Sequence, residues 1–285
     1  MTMQPVVGGT LRDGIRAHRA AHPRRSLRDV APVRETRELA RFAQRVAVGA
    51  GRTVVHRRFP VEEYVLQTWY AVRVCSLPAL AVSVPFGIIL SLQVGVLAQE
   101  VGAVAFTGAG NTLAVVRQAS PLITALMLSG VAGSAICADL GSRRIREELD
   151  ALEVMGISTI ERLVVPRVAA TVTVAILLNG VVMFFTIITT LLVSLATQGL
   201  PPASYLASVS TLAQLSDLWL SLGKALVFAV VCAVVASYKG MTAARGPAGV
   251  GDAVTSAVVI NFVLLFAANF AISQVWSTMA GGPIG

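Results

Sequence analysis

Long apolar stretches separated by short charged ones set the pattern of this chain. Uncharged runs cover residues 74–99 between Arg73 and Glu100, 118–138 between Arg117 and Asp139, 168–197 and 253–280. A further apolar run, 213–238, carries Asp217 near its start and Lys224 farther in. Each exceeds the roughly 18 residues that mark a membrane-span candidate, enough helix to cross about 30 Å of hydrocarbon. With their helical flanks the predicted spans are 74–99, 113–138, 164–197, 213–238 and 253–280, within a domain covering 74–280. This is an all-α polytopic membrane fold.

Before the first span, Leu39, Phe42, Val46, Ala50 and Val54 recur every three or four residues, with Arg37, Arg41, Arg45 and Arg52 mostly elsewhere on the wheel. That spacing predicts an amphipathic helix. Pro60 can start a second one, with Val61, Tyr64, Val65, Trp69 and Val72 on an apolar, aromatic face. Residues 33–73 therefore read as N-terminal amphipathic helices at the membrane interface, and the basic stretch 1–32 as a loose tail. Inside the spans, Pro78 and Pro85 each remove a backbone donor from the first. Ser129, Gly130, Gly133, Ser134 and Ala138 give the second a small-residue face that lets another helix approach closely.

Between the second and third spans charge is concentrated in Ala138-Asp-Leu-Gly-Ser-Arg-Arg-Ile-Arg-Glu-Glu-Leu-Asp-Ala-Leu-Glu-Val-Met-Gly156. Ser142 is a candidate N-cap and Gly156 a candidate left-handed stop, predicting a short helix over 142–155. Ile145, Leu149 and Leu152 form a narrow apolar stripe. Arg143 with Glu147, Arg144 with Glu148, and Arg146 with Asp150 have i, i+4 ion-pair spacing, with Glu153 on the same helix. Ser158-Thr-Ile-Glu161 then has the spacing of a capping box, and Pro166 a bend.

Composition sharpens the picture. Hydrophobic residues make up 55% and charged residues 13%, with mean hydropathy +0.74, which excludes a soluble enzyme. The net charge of +8 is not a nucleic-acid signal, because residues 1–73 hold 14 basic and 6 acidic residues and the remainder 9 of each. Basic residues also alternate between connections: Arg143, Arg144, Arg146, Arg162 and Arg167 flank one, Lys239 and Arg245 another, whereas 101–112, 198–212 and 281–285 contain none. The positive-inside rule then puts the N-terminus in the cytoplasm and the C-terminus outside. Cys75, Cys137 and Cys232 read as small hydrophobes, and His18 with His22 lacks a third ligand, so no metal site is expected. Lys224 is expected to snorkel to the external interface, with pairing to a carboxylate or lipid phosphate as the alternative.

Asp139-Leu-Gly, Arg146-Glu-Glu-Leu-Asp-Ala-Leu-Glu-Val-Met-Gly156 and Arg162-Leu-Val-Val-Pro-Arg167 resemble the signature of the MlaE/YrbE permeases, membrane subunits of Mce-associated ABC lipid transporters. Glu147-Glu-Leu-Asp-Ala151 matches the family's E-E-x-D-A element at each fixed position. The likeness extends over about 60–280, including Arg57-Arg-Phe-Pro60 and the Gly246–Gly251 connection, and Ile136-Cys-Ala-Asp-Leu-Gly141 is most similar to the A-type actinobacterial subunit.

The resemblance implies an interfacial helix plus five transmembrane helices in a bacterial inner membrane, and a heterodimer with a second YrbE-type permease around a lipid cavity. It implies external MCE proteins, a lipid substrate and a separate cytoplasmic ABC ATPase. Arg143, Arg144, Ile145, Arg146, Glu147, Glu148, Leu149, Asp150, Leu152 and Glu153 would couple to that ATPase. Gln93, Leu97 and Glu100 would line the lipid pathway. No cofactor is expected on this chain: a G-x-x-x-x-G-K-[ST] loop is absent, so ATP and Mg belong to the partner. An ion-coupled secondary transporter is the alternative; an intramembrane enzyme is weaker, since all three histidines precede residue 57.

Overall fold

The computed structural model describes residues 32–55, 60–199, 201–212 and 214–280. Among the described residues there is no β-strand, and five helices are long and apolar enough to cross a membrane. The chain divides at Arg41 into two units. The first contributes only the opening turns of helix α1 (Pro32–Val55), where Thr36, Arg37 and Glu38 are exposed. The tail 1–31, residues 56–59, 200 and 213, and the C-terminal 281–285 lie outside the described residues.

Within the second unit the rest of α1 buries Phe42, Val46, Gly49 and Thr53, a four-three-four spacing that aligns one helical face. Phe42 and Val46 pack on Val164 and Val234, and the Phe42 ring tilts against Tyr238 at 5.6 Å. This part of the predicted stripe is covered by the chain's own helices rather than by lipid.

Helix α2 (Val61–Glu100) corrects the sequence reading, which separated an aromatic interfacial helix from a span beginning at 74. Only Arg73 interrupts the apolar sequence there, and one arginine is no helix breaker, so 40 residues run continuously through Pro78 and Pro85. The Pro60 carbonyl accepts the Tyr64 N–H at 3.1 Å to start it. Helix α3 (Val104–Ile145) likewise begins nine residues before the predicted 113 and ends seven after 138. After the short α4 (Glu148–Val154) come α5 (Ile160–Gln198), α6 (Pro202–Leu212), α7 (Leu215–Met241) and α8 (Pro247–Ala280).

One helix pair frames the others. The face of α2 turned to α5 carries Cys75, Ala79, Ser83, Gly87, Ser91 and Gly95, all buried and all four residues apart. Small side chains at this spacing form a shallow ridge that lets backbones meet where lipid supplies no hydrophobic drive. A Cβ on Gly87 would lie 3.0 Å from the Thr189 Cβ. Ser91 Oγ donates to the Thr190 carbonyl at 3.1 Å and shares a 2.9 Å hydrogen bond with Ser194, which also accepts from Asn111 of α3. Asn179 of α5 joins three helices, accepting from Ser120 at 2.7 Å and donating to Ser221 at 2.9 Å. Of the small residues of α3, Ser129 and Gly133 are buried within this chain, and a Cβ on Gly133 would meet Cys232 at 3.0 Å and Asn261 at 3.3 Å, whereas Gly130 is exposed with nothing within 4 Å of its Cβ position.

Helix α3 contains two π turns, Val115–Ala119 and Leu128–Gly133. Such turns disturb the regular backbone ladder, and α7 supplies a donor at each: Lys224 Nζ to the Arg117 carbonyl at 2.8 Å, and the Cys232 thiol to the Leu128 carbonyl at 3.0 Å. Lys224 is only 1% exposed and also donates to Ser273 at 2.8 Å, so it is a buried crosslink and does not snorkel. Nearby, Arg117 Nε donates to the buried Asp217 at 2.7 Å. Helix α6 lies in the stretch that the sequence reading leaves as a connection. Its Tyr205 is buried and its carbonyl sits where a Cβ on Gly108 would be only 2.6 Å away.

The ridge predicts its own weak points. Gly87→Leu forces a branched side chain onto Thr189 and should cost about 1–3 kcal/mol, measured as a lower Tm in detergent. Gly95→Ala should cost less, because its nearest neighbour is the flexible end of Gln198.

Candidate functional site

The charged segment after α3 forms a small platform at the arginine-rich end of the bundle. The predicted single helix over 142–155 is two pieces. α3 continues through Ser142, whose hydroxyl donates to the Asp139 carbonyl instead of capping a helix start. The chain then turns at Arg146 and Glu147, the latter left-handed at φ 59°, the one non-glycine positive φ among the described residues. This costs an ordinary residue about 1–2 kcal/mol; the Glu147 N–H donates to the Arg144 carbonyl at 3.1 Å and its carboxylate lies 3.5 Å from Arg245.

Helix α4 ends as predicted. Gly156 has φ 73°, its N–H donates to the Glu153 carbonyl, and the Ile157 N–H reaches back to the Leu152 carbonyl, both at 3.0 Å. These are the paired bonds of a Schellman stop. Ser158 Oγ then accepts the Glu161 N–H at 3.4 Å, one half of the predicted capping box.

The break rotates α4 relative to α3, so none of the three predicted i, i+4 ion pairs forms. Arg143 instead lies 3.3 Å from Asp139 and 3.9 Å from Glu148, and Arg146 Nε donates to Glu148 at 2.6 Å. That bond holds the Glu148 carboxyl below its ordinary pKa and raises that of Arg146. Arg144 donates to the Met241 carbonyl at the end of α7.

The rotation also redirects the apolar stripe. Leu149 is buried and Leu152 partly so, seated among Leu140, Leu163, Ala243 and Val250 from α3, α5, α8 and the turn before α8. Of the predicted stripe only Ile145 remains outward. The outward apolar surface consists of Val154, Met155 and Ile157 together with Ile145; Val154 is 89% and Met155 63% exposed, with Asp150 and Glu153 exposed beside them. The sequence signal for these residues is the Leu-Glu-Val-Met-Gly run, where apolar residues occupy positions that the wheel assigns outside the Leu149/Leu152 stripe.

Beside the platform the signature elements meet. Arg167 is 1% exposed, and its Nη2 donates to Asp139 and lies 3.8 Å from Glu63. Asp139 and Arg167 stand 28 positions apart, and no sequence spacing pairs them. At the opposite half of α2, Gln93, Leu97 and Glu100 share one exposed face, turned away from the Ser91/Gly95 ridge. The platform and this face are on different parts of the molecule. No group of three or more metal-binding side chains occurs among the described residues.

Residues 64–275 match the family described as Permease MlaE. The chain belongs to the MlaE permease family. The match takes in the platform, the Asp139–Arg167 pair and the Gln93/Leu97/Glu100 face. Similar proteins include a probable ABC transporter permease of Synechocystis sp., 34% identical over 66% of this chain and 71% of the relative, and one of Rickettsia conorii, 30% identical over 70% and 78%. The chloroplastic Trigalactosyldiacylglycerol 1 protein of Arabidopsis thaliana is 33% identical over 59% of this chain and 48% of its own length. With five apolar helices and these relatives, the MlaE-family chain is a multi-pass membrane permease subunit of the ABC type.

Buried charge makes the Asp139–Arg167 pair a stability determinant. Removing Asp139 strands a guanidinium that is almost wholly buried, so Asp139→Leu should cost about 3 kcal/mol. Arg143→Gln, which removes a half-exposed partner, should cost much less; thermal unfolding of both variants in one detergent gives the comparison.

Proposed function

We propose that this chain is the permease subunit of an ATP-driven lipid transporter of the Mce/Mla type, paired with a second permease and driven by a separate ATPase. The observation that carries the reading is the platform's form. A short helix is anchored inward by Leu149 and Leu152 to helices α3 and α5 and the α7–α8 corner, and it presents Val154, Met155 and Ile157 outward with no covering from the described chain. An apolar tip flanked by carboxylates suits a groove on a partner protein, and an ABC permease takes its ATP hydrolysis from such a partner.

The arginines around the platform support a cytoplasmic platform with α6 outside, by the positive-inside rule, in a bacterial inner membrane. Support for lipid as cargo comes from the exposed Gln93, Leu97, Glu100 face beside Ile89 and Val96, an apolar wall with two polar groups, and from one relative's being named for a glycerolipid. The A-type likeness favours a heterodimer with a related permease, and MCE proteins would receive or deliver the lipid outside. The buried charges that an ion-coupled carrier would need at mid-membrane are already engaged here: Asp217 by Arg117, and Lys224 by three oxygens.

Vesicles holding the permease pair and its ATPase test this directly. ATP should drive transfer of a fluorescent phospholipid, insensitive to protonophore, and Leu97→Arg should lower it at least tenfold with the complex intact. Transfer driven by an ion gradient without ATP would overturn the reading.

A further inference from the structure

A cavity of about 540 Å³ lies between α2, α3 and α5, apart from the Gln93/Leu97/Glu100 face. Its wall is apolar and aromatic, with Leu66, Trp69 and Tyr70 from α2 and Val131, Ala135 and Ile136 from α3. Arg73, Arg143 and Arg167 gather at the same cavity, against one lining carboxylate, Asp139. Glu63 reaches Arg167 at 3.8 Å from outside the lining, and Glu148 reaches Arg143 at 3.9 Å.

The decisive group is Arg167. It is almost fully buried, yet Asp139 and Glu63 engage only its Nη2, and its Nε and Nη1 have no hydrogen-bond partner. Buried donors left unsatisfied are costly, and a guanidinium especially so. The Nε–H and Nη1–H bonds leave the guanidinium on different edges, so each vacant donor fits a separate oxygen, and Arg143 and Arg73 at the same cavity fit the other oxygens of an anionic headgroup. The apolar wall next to them fits the start of an acyl chain, and Trp69 and Tyr70 have the amphipathic rings found at headgroup depth.

We propose that this cavity binds one anionic acyl lipid, its headgroup on Arg167, Arg143 and Arg73 and its chain along Trp69, Val131 and Ile136. The site is formed within a single chain. That its lipid comes from the cytoplasmic leaflet rests on the orientation proposed above; the binding itself does not. The volume accommodates a headgroup and the upper part of a chain, so the remainder of the lipid stays in the bilayer.

Native mass spectrometry of the full chain in detergent tests the site, with dioleoyl phosphatidylglycerol, dioleoyl phosphatidylcholine or inorganic phosphate as probes. Wild type should retain one phosphatidylglycerol per chain, at least tenfold over phosphatidylcholine, and millimolar phosphate should not displace it. The double variant Arg73→Gln/Arg143→Gln should lose that retention tenfold. Ala135→Phe, which fills the wall without altering charge, should do the same with an unchanged Tm, and Glu100→Gln should retain the lipid. Equal retention of the two lipids, retention unchanged in Ala135→Phe, or displacement by phosphate alone would overturn the proposal. Loss of ATP-driven transfer with this binding intact would instead count against the transport reading.

Discussion

Lipid tails are as apolar as leucine, so helices in a bilayer are held by close packing and by hydrogen bonds. The small-residue ridge of α2 against α5 supplies both, and other features depend on its register. It aligns Ser91 with Thr190 and Ser194, and through Ser194 with Asn111 of α3. At the arginine-rich end, the same pairing of helices brings Glu63 of α2 within reach of the buried Arg167 of α5, which meets Asp139 of α3. A bulky residue in the ridge would therefore act on distant polar contacts as well as on local packing.

Helix α7 plays a complementary part. Its side chains donate to carbonyls at both π turns of α3, so an irregular helix sits in a low-dielectric setting with these groups paired. The lower end of that α3 carries α4, and α4 is seated on α3, α5 and the α7–α8 corner together. On the proposed function, force applied by an ATPase at Val154 and Met155 would reach several helices at once through Leu149 and Leu152, and a short helix with no catalytic group would pass the partner's conformational change into the membrane.

Much of this was legible from residue patterns. Four spans follow from uncharged length and a fifth from an apolar run that carries only Asp217 and Lys224, and the Gly156 stop follows from glycine after an apolar helix; of the α1 stripe Phe42 and Val46 are buried, with Gly49 and Thr53 completing the buried face and Ala50 only partly buried. Charges such as Arg73 and Asp139 bound the apolar runs but not the helices, because helical hydrogen bonding continues through a charged residue. The break at Arg146–Glu147 contains neither glycine nor proline, so nothing local announces it, and it overturns three ion pairs and the direction of the stripe. Lys224 is buried because a π turn leaves a carbonyl for it, and π turns have no simple sequence signal. The α6 helix is short and partly apolar; its place depends on Gly108 allowing Tyr205 to approach, a contact between residues nearly a hundred positions apart.

On the proposed function, the outward tip of α4 is where an ATPase grips this permease. Tagged chain purified from its native membrane in mild detergent, with mass spectrometry of the bound proteins, compares wild type with Val154→Asp/Met155→Asp. The expected result is recovery of an ATPase with wild type and its selective loss from a variant that keeps its fold and its partner permease. Undiminished ATPase recovery with that variant, or none with an intact and active wild-type preparation, would contradict it.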